Sequence, residues 1–245
     1  MPKRLIEALT ALCLSCSLQA ADAATFEVGF YDYPPMMIED GKRGIYQDIF
    51  DELARVTGDR FNVQYYPYPR IGLLFNEGKL DIEPGVYPGW VKDQKVPGVF
   101  SLPFGKVVDS LVFAPGKAFP VRHPEDLRGK SVGMVRGYAY PELAPLIASG
   151  QLDRRNGLSE QQLLSMLAKS RFDQIIVNKA IAQYHQLKIN EYRQLEIGDV
   201  ISSYDVSMRI QPRHAAWVER LDAALARLKQ NGTIERIYAA YGVSL

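Results

Sequence analysis

Apolar residues recur along this chain at two spacings. FEVGFY (26–31) is a short apolar run that predicts a buried first strand. In GIYQDIFDELARVTG (44–58), Ile45, Ile49, Leu53 and Val56 recur at helical spacing, and Gly58 marks the helix end. FNVQYY (61–66) alternates as a strand, IGLLFNEGKL (71–80) predicts a short helix, and LDIEP (80–84) the next strand. Residues 106–115 predict another strand, followed by a turn and short helix in PVRHPEDLRGK (120–130). SVGMVRG (131–137) reads as strand then turn. SEQQLLSML (159–167) opens with a capping box, Ser159 with Gln162, ahead of an apolar run. FDQIIV (172–177) predicts a buried strand and NKAIAQYHQL (178–187) the helix after it. YRQLEIG (192–198) and SYDVSMRI (203–210) predict two late strands. Trp217, Leu221, Ala224 and Leu228 share one helical face, Asn231-Gly232 closes that helix, and TIERIYAAYG (233–242) predicts a last short one.

Strands alternate with helices almost throughout, which argues for an α/β fold with largely parallel sheets. In such sheets ligands bind outside the carboxyl ends of the strands. The loops there are YDYPPM, PYPR, PGVYPGW, RGYAYPE and VNKA, and they are rich in tyrosine. In PGVYPGWVKDQ (84–94), Pro and Gly make turns, but Tyr87 and Trp90 are large apolar groups with little core to enter from a loop. Trp90 either walls a cleft or packs beneath its own loop.

Composition adds a compartment and removes some partners. The 245 residues are 47% hydrophobic and 23% charged with a net charge of +1, ordinary for a globular chain and without electrostatic support for a nucleic-acid partner. The N-terminus differs from the rest. Lys3 and Arg4 precede an apolar run, 8–18, and Ala21-Asp22-Ala23 fits a small-residue cleavage site, so residues 1–23 predict a secretory signal peptide. The run is shorter than the ~20 residues that span a membrane. Cleavage after Ala23 would remove Cys13 and Cys16, leaving no thiol; a lipid anchor on Cys16 is the alternative, although Cys13-Leu14-Ser15 fits that signal poorly. About 220 remaining residues suffice for one large domain or two lobes. His123, His185 and His214 lack metal-ligand spacing and read as surface residues. No metal or cofactor is expected.

In order along the chain, YDYPPM, the Gly-led helix GIYQDIFDELA, the segment ending GKLD, FSLPF (100–104), DLRGKSVGMVRG, SRFDQIIVN and LKQNGTIERIYAAYG resemble the periplasmic solute-binding proteins of family 3, the polar amino-acid type that serves ABC importers. The ordered set covers residues 26–242; no one motif is specific. The resemblance implies a type II periplasmic binding protein fold of two α/β lobes, residues 24–108 with 203–245 and residues 109–202, with the ligand cleft between them. It also implies a monomeric periplasmic receptor whose partners are a small-molecule ligand and an ABC membrane permease.

Residue by residue, the family's stacking aromatic matches Tyr33, the next loop matches Tyr68 beside Arg70, and the backbone groups that receive a ligand terminus match Gly85, Val86 and Tyr87, with Trp90 beyond. The turn of the second lobe matches Gly137, Tyr138, Ala139 and Tyr140. Two anchors depart from the family's pattern. The window GWVKDQ has Lys92 where an arginine would clamp an α-carboxylate bidentately. Asn178 stands where an aspartate would take an α-ammonium, although as a helix N-cap it has reason enough to be there. Arg70 or Arg136 could supply a cation. An amino-acid derivative or another small organic solute therefore ranks level with a polar amino acid. The rivals are an enzyme resembling cyclohexadienyl dehydratases, with Glu83, Asp93, Glu142 or Asp205 as general acid, and a sensor that presents its ligand to a membrane receptor.

Overall fold

The computed structural model describes residues 23–243, so all but the last residue of the expected signal peptide, Cys13 and Cys16 included, lies outside the described residues. The chain runs β1 (Thr25–Phe30), α1 (Ile45–Thr57), β2 (Arg60–Tyr65), α2 (Tyr68–Asn76), β3 (Ile82–Val86), α3 (Pro88–Val91), β4 (Val99–Phe100) and β5 (Gly105–Phe113). It continues through β6 (Ser131–Val135), α4 (Ala144–Ala148), β7 (Asp153–Gly157), α5 (Glu160–Ala168), β8 (Gln174–Asn178), α6 (Lys179–Lys188), β9 (Glu196–Ile210), α7 (Val218–Gln230) and α8 (Thr233–Ala240).

Hydrophobic spacing decides the helices. α1 buries Ile45, Tyr46, Ile49, Phe50 and Leu53 on one face, each worth roughly 1.5–3 kcal/mol for the large side chains, and Gly58 caps it in the left-handed conformation. At α5, Ser159 Oγ accepts the Gln162 N–H at 3.1 Å, as the capping-box pattern predicts. The Gln162 side chain reaches one residue further back than expected, accepting from the Leu158 N–H at 2.7 Å.

The strands follow the order β2-β1-β3-β9-β5-β8-β6-β7, with β4 also on β9. Two arrays share one plan. β1 lies parallel between β2 and β3, with β9 antiparallel beyond β3; β6 lies parallel between β7 and β8, with β5 antiparallel beyond β8. β5 and β9 pair antiparallel from Gly105–Val206 to Phe113–Glu196, and this ribbon joins the two arrays. Within it Val108 faces Ser203.

Three expectations change here. The sheet is mixed rather than largely parallel, because β9 and β5 return through it antiparallel. The two late strands are one strand of 15 residues, whose polar centre, GDVISS, stays paired with β5 instead of looping out. β7, DRRNG, was not predicted: it is an edge strand paired only with β6 and carries an exposed, polar sequence.

Candidate binding site

The β1 end turns sharply. Tyr33 and Met37 exchange backbone hydrogen bonds of 2.8 and 3.0 Å, which holds Tyr31 and Tyr33 side by side, ring centroids 5.3 Å apart. β2 ends directly before α2, so Tyr68, the first residue of that helix, meets Tyr31 at 4.9 Å. From the other array, the turn after β6 brings in Tyr138. Its ring lies 4.9 Å from Tyr68, edge-on, and its hydroxyl 3.2 Å from that of Tyr31. Four tyrosines thus meet between the two arrays. Burial pushes the Tyr31, Tyr33 and Tyr138 hydroxyls well above the usual phenol range, so they stay protonated as hydrogen-bonding groups.

A cavity opens on each side of this cluster, and all four tyrosines line both. The first, about 320 Å³, sits at the small end of the range for pockets that hold small organic molecules. Its outer wall is the PGVYPGW loop. Pro84 cannot donate to a sheet ladder, and the pairing of β3 with β9 shifts between Glu83 and Val86. Gly85 takes a φ of +76°, and a Cβ there would stand 2.7 Å from the Tyr46 ring, which also lines the cavity. Trp90 completes the wall and packs edge-on against Tyr204 of β9 at 5.4 Å and Tyr87 at 5.8 Å. Trp90 is therefore both cavity wall and part of a local aromatic group. Its buried Nε1 has no partner among the described residues.

Two carboxylates reach this cavity, Glu83 and Asp109. Glu83 is held from behind by Arg209, which is fully buried and donates to Glu83 Oε2 at 2.8 Å, to Gln94 Oε1 at 2.9 Å, to the Pro97 carbonyl at 2.9 Å and to the Val96 carbonyl. The guanidinium also lies 3.9 Å over the Phe75 ring. Asp109 sits on β5 opposite Ser202, whose hydroxyl donates to it at 3.1 Å. Burial pushes the Asp109 carboxyl up to about 6, Glu142 adds to the rise, and the Ser202 bond opposes it.

The second cavity, about 390 Å³, is lined by the same tyrosines together with Glu160 and His185. Glu160 opens α5, is buried, and accepts the Asn178 N–H at 3.1 Å. Burial, and then Asp109, push its carboxyl well above the usual carboxylate range. His185 is buried, not a surface residue as expected, because α6 turns it inward beside Tyr192.

No protein-family model and no curated protein matches the chain. Solved structures do match over almost their full lengths. An ancestral arginine-binding protein bound to arginine is 21% identical, with 89% of this chain and 97% of that one covered and a TM-score of 0.74. A histidine kinase sensor domain with similarity to periplasmic binding proteins is 20% identical (90% and 96% covered, TM-score 0.75). A putative L-cystine ABC transporter protein from Listeria monocytogenes is 17% identical (91% and 99% covered, TM-score 0.74). The chain has the two-lobed periplasmic binding protein fold.

Within this periplasmic binding protein fold, eight of the expected site residues line the first cavity: Tyr33, Tyr68, Gly85, Val86, Trp90, Gly137, Tyr138 and Ala139. Four line neither cavity. Arg70 is exposed. Tyr87 stacks on Tyr204 at 4.5 Å behind Trp90. Tyr140 turns inward, its hydroxyl accepting the Val135 N–H at 3.1 Å. Asn178 is buried behind Tyr33: its Oδ1 accepts the Ala180 N–H at 2.9 Å, which makes it the N-cap of α6, and its Nδ2 donates to the Tyr33 hydroxyl at 3.2 Å. Arg136, the other candidate cation, is exposed and lines neither cavity. Sequence reasoning missed Asp109, Glu160 and Arg209. Asp109 and Arg209 lie in strands that read as plain ladder, and Glu160 reads as an ordinary acid in the first turn of a helix.

Proposed function

We propose that the protein is a periplasmic solute receptor of the family 3 type, which captures a small organic molecule between two hinged lobes and hands it to an ABC importer. The observation that carries this reading is the aromatic cavity between two similar α/β arrays joined through the β5–β9 ribbon. Lobes of residues 24–108 with 203–245 and 109–202 place the hinge at the paired Val108 and Ser203, where a change of backbone angles would swing one array against the other. The four tyrosines then belong to both lobes, three to the first and Tyr138 to the second, so they would part when the cleft opens. The N-terminal segment of residues 1–23 directs export, and the protein works as a monomer that meets its permease when closed. A thermal-shift screen of amino acids, their derivatives, polyamines and organic acids tests the reading, since a ligand of the native state raises the melting point by mass action. Small-angle scattering with and without a hit should show compaction. A hit without compaction would refute lobe closure.

One observation favours a second reading. Asp109, its carboxyl pushed up to about 6 on the cavity wall, has the poise of a general acid, as a dehydratase would need. The acids first considered for that role fit it less well. Glu83 is tied to Arg209, Asp93 is exposed, Asp205 is exposed and paired with Lys106 at 2.8 Å, and Glu142 lines neither cavity and accepts from Tyr204. Turnover of prephenate or arogenate, lost in Asp109→Asn, would establish the enzyme; no turnover would remove it.

A further inference from the structure

The charges around the first cavity are lopsided. Among the described residues, no lysine, arginine or histidine side chain lines it. Of its two carboxylates, Glu83 already has a cation, because Arg209 sits against it from behind. Asp109 has none; its hydrogen-bond partner is the uncharged Ser202 hydroxyl. The groups around Asp109 deepen the deficit. Glu142 pushes the Asp109 carboxyl up, and the other titratable groups facing it, Glu160, Tyr33, Tyr140 and Tyr204, are held toward their uncharged forms and supply no positive charge. Six aromatic residues share the lining, Trp90, Tyr68 and Tyr138 among them, and ring faces attract positive charge.

Resting on the receptor reading, we propose that this cavity takes a small organic cation without a carboxylate, an amine or a quaternary ammonium, with Asp109 as its counter-ion and the rings of Trp90, Tyr68 and Tyr138 around it. An α-amino acid would carry an anionic end into a space with no cation to meet it, where an unpaired charge loses its hydration without compensation. A free carboxylic acid would meet Asp109 with like charge. A carboxylate-free cation meets neither obstacle and supplies Asp109, the carboxylate of this cavity without a cation, with a counter-ion.

The test is a set of calorimetric titrations of the purified protein with choline, putrescine and tyramine, against arginine and glutamine, and against succinate. At least one of the first three should bind, at least tenfold more tightly than either amino acid, with succinate silent. Binding should weaken about tenfold from pH 7.5 to pH 5 as Asp109 takes a proton, and Asp109→Asn should weaken it by tenfold or more while its unliganded melting point holds or rises. Preferred binding of an amino acid or of succinate would overturn the inference and leave the receptor reading standing. Silence from all six would overturn both. Cation binding that Asp109→Asn and pH leave unchanged would overturn the assignment of Asp109.

Discussion

Arg209→Met should cost this protein about 3–5 kcal/mol. The guanidinium is fully buried and closes four acceptors at once: Glu83 Oε2, Gln94 Oε1 and the carbonyls of Val96 and Pro97. Methionine fills much of the space above Phe75 but satisfies none of them. The largest loss is not the ion pair itself, since a buried pair nearly breaks even against apolar residues; it is the carboxylate left unpaired in the interior. For a chain of this size 1 kcal/mol moves the melting point by about 2–4 °C, so the loss corresponds to a fall of about 6–20 °C. The double variant Arg209→Met/Glu83→Gln removes the stranded charge and should recover more than half of it. The pH dependence has a definite sign. Burial already raises the Glu83 carboxyl, and Arg209 opposes that rise. Without Arg209 the folded-state value climbs further above the unfolded one, so stability falls as pH rises through that window. The deficit should therefore be large at pH 7.5 and smaller at pH 5, where Glu83 takes up a proton. Chemical denaturation of the three proteins at both pH values measures this. A loss under about 1 kcal/mol, or a deficit that does not shrink in acid, would refute the argument.

The remaining expectations concern the site and its support. Trp90→Ala should weaken binding of any ligand found by about 1 kcal/mol or more, read by titration, because it removes a ring face from the cavity wall; unchanged affinity would place the ligand elsewhere. Asp109→Asn should stabilise the unliganded protein by about 1–2 kcal/mol at pH 7.5 and by nothing near pH 4, because the raised carboxyl opposes folding only once it ionises. Denaturation at the two pH values checks it, and an equal effect at both would show the acid is not the cause. Asp59→Ala should destabilise by about 2–3 kcal/mol, since Asp59 is buried and accepts from the Ala24 N–H at 2.9 Å, from Trp217 Nε1 at 2.9 Å and from Arg220 at 3.0 Å; a change within 0.5 kcal/mol, on the order of a surface substitution, would refute that anchoring role.

Much of the fold was legible because it rests on local spacing. Ile45, Ile49 and Leu53 predict the buried face of α1, and Gly58 its end, without any knowledge of partners. The loops rich in tyrosine at strand ends point to the cavity, because four large rings in turns need somewhere to go. What stayed hidden depends on distant neighbours. Arg209 sits in a strand where an arginine ordinarily reads as solvent-facing; its acceptors come from residues 83–97, more than a hundred positions away. β9 looks like two strands because its middle is polar, and only β5 beside it supplies the pairing that keeps it extended. Asp109 has the same character: it sits in the strand run Val107-Val108-Asp109-Ser110-Leu111, which reads as plain ladder, and the lack of a cation beside it is a property of the assembled cavity.

The two tryptophans of the chain occupy opposite kinds of place. Trp217 is packed 4.1 Å from Phe26 in the core, its indole N–H fixed on Asp59. Trp90 faces the cavity, packed edge-on with Tyr87 and Tyr204 and its N–H without an acceptor among the described residues. The protein thus carries a built-in optical probe. Trp217 supplies a steady emission background that reports global unfolding. Trp90 responds to whatever enters the site, through quenching by a charged guest, a spectral shift on loss of water, or energy passed from the adjoining phenols. A Trp217→Phe background would isolate that signal and let occupancy be followed in real time without any attached dye.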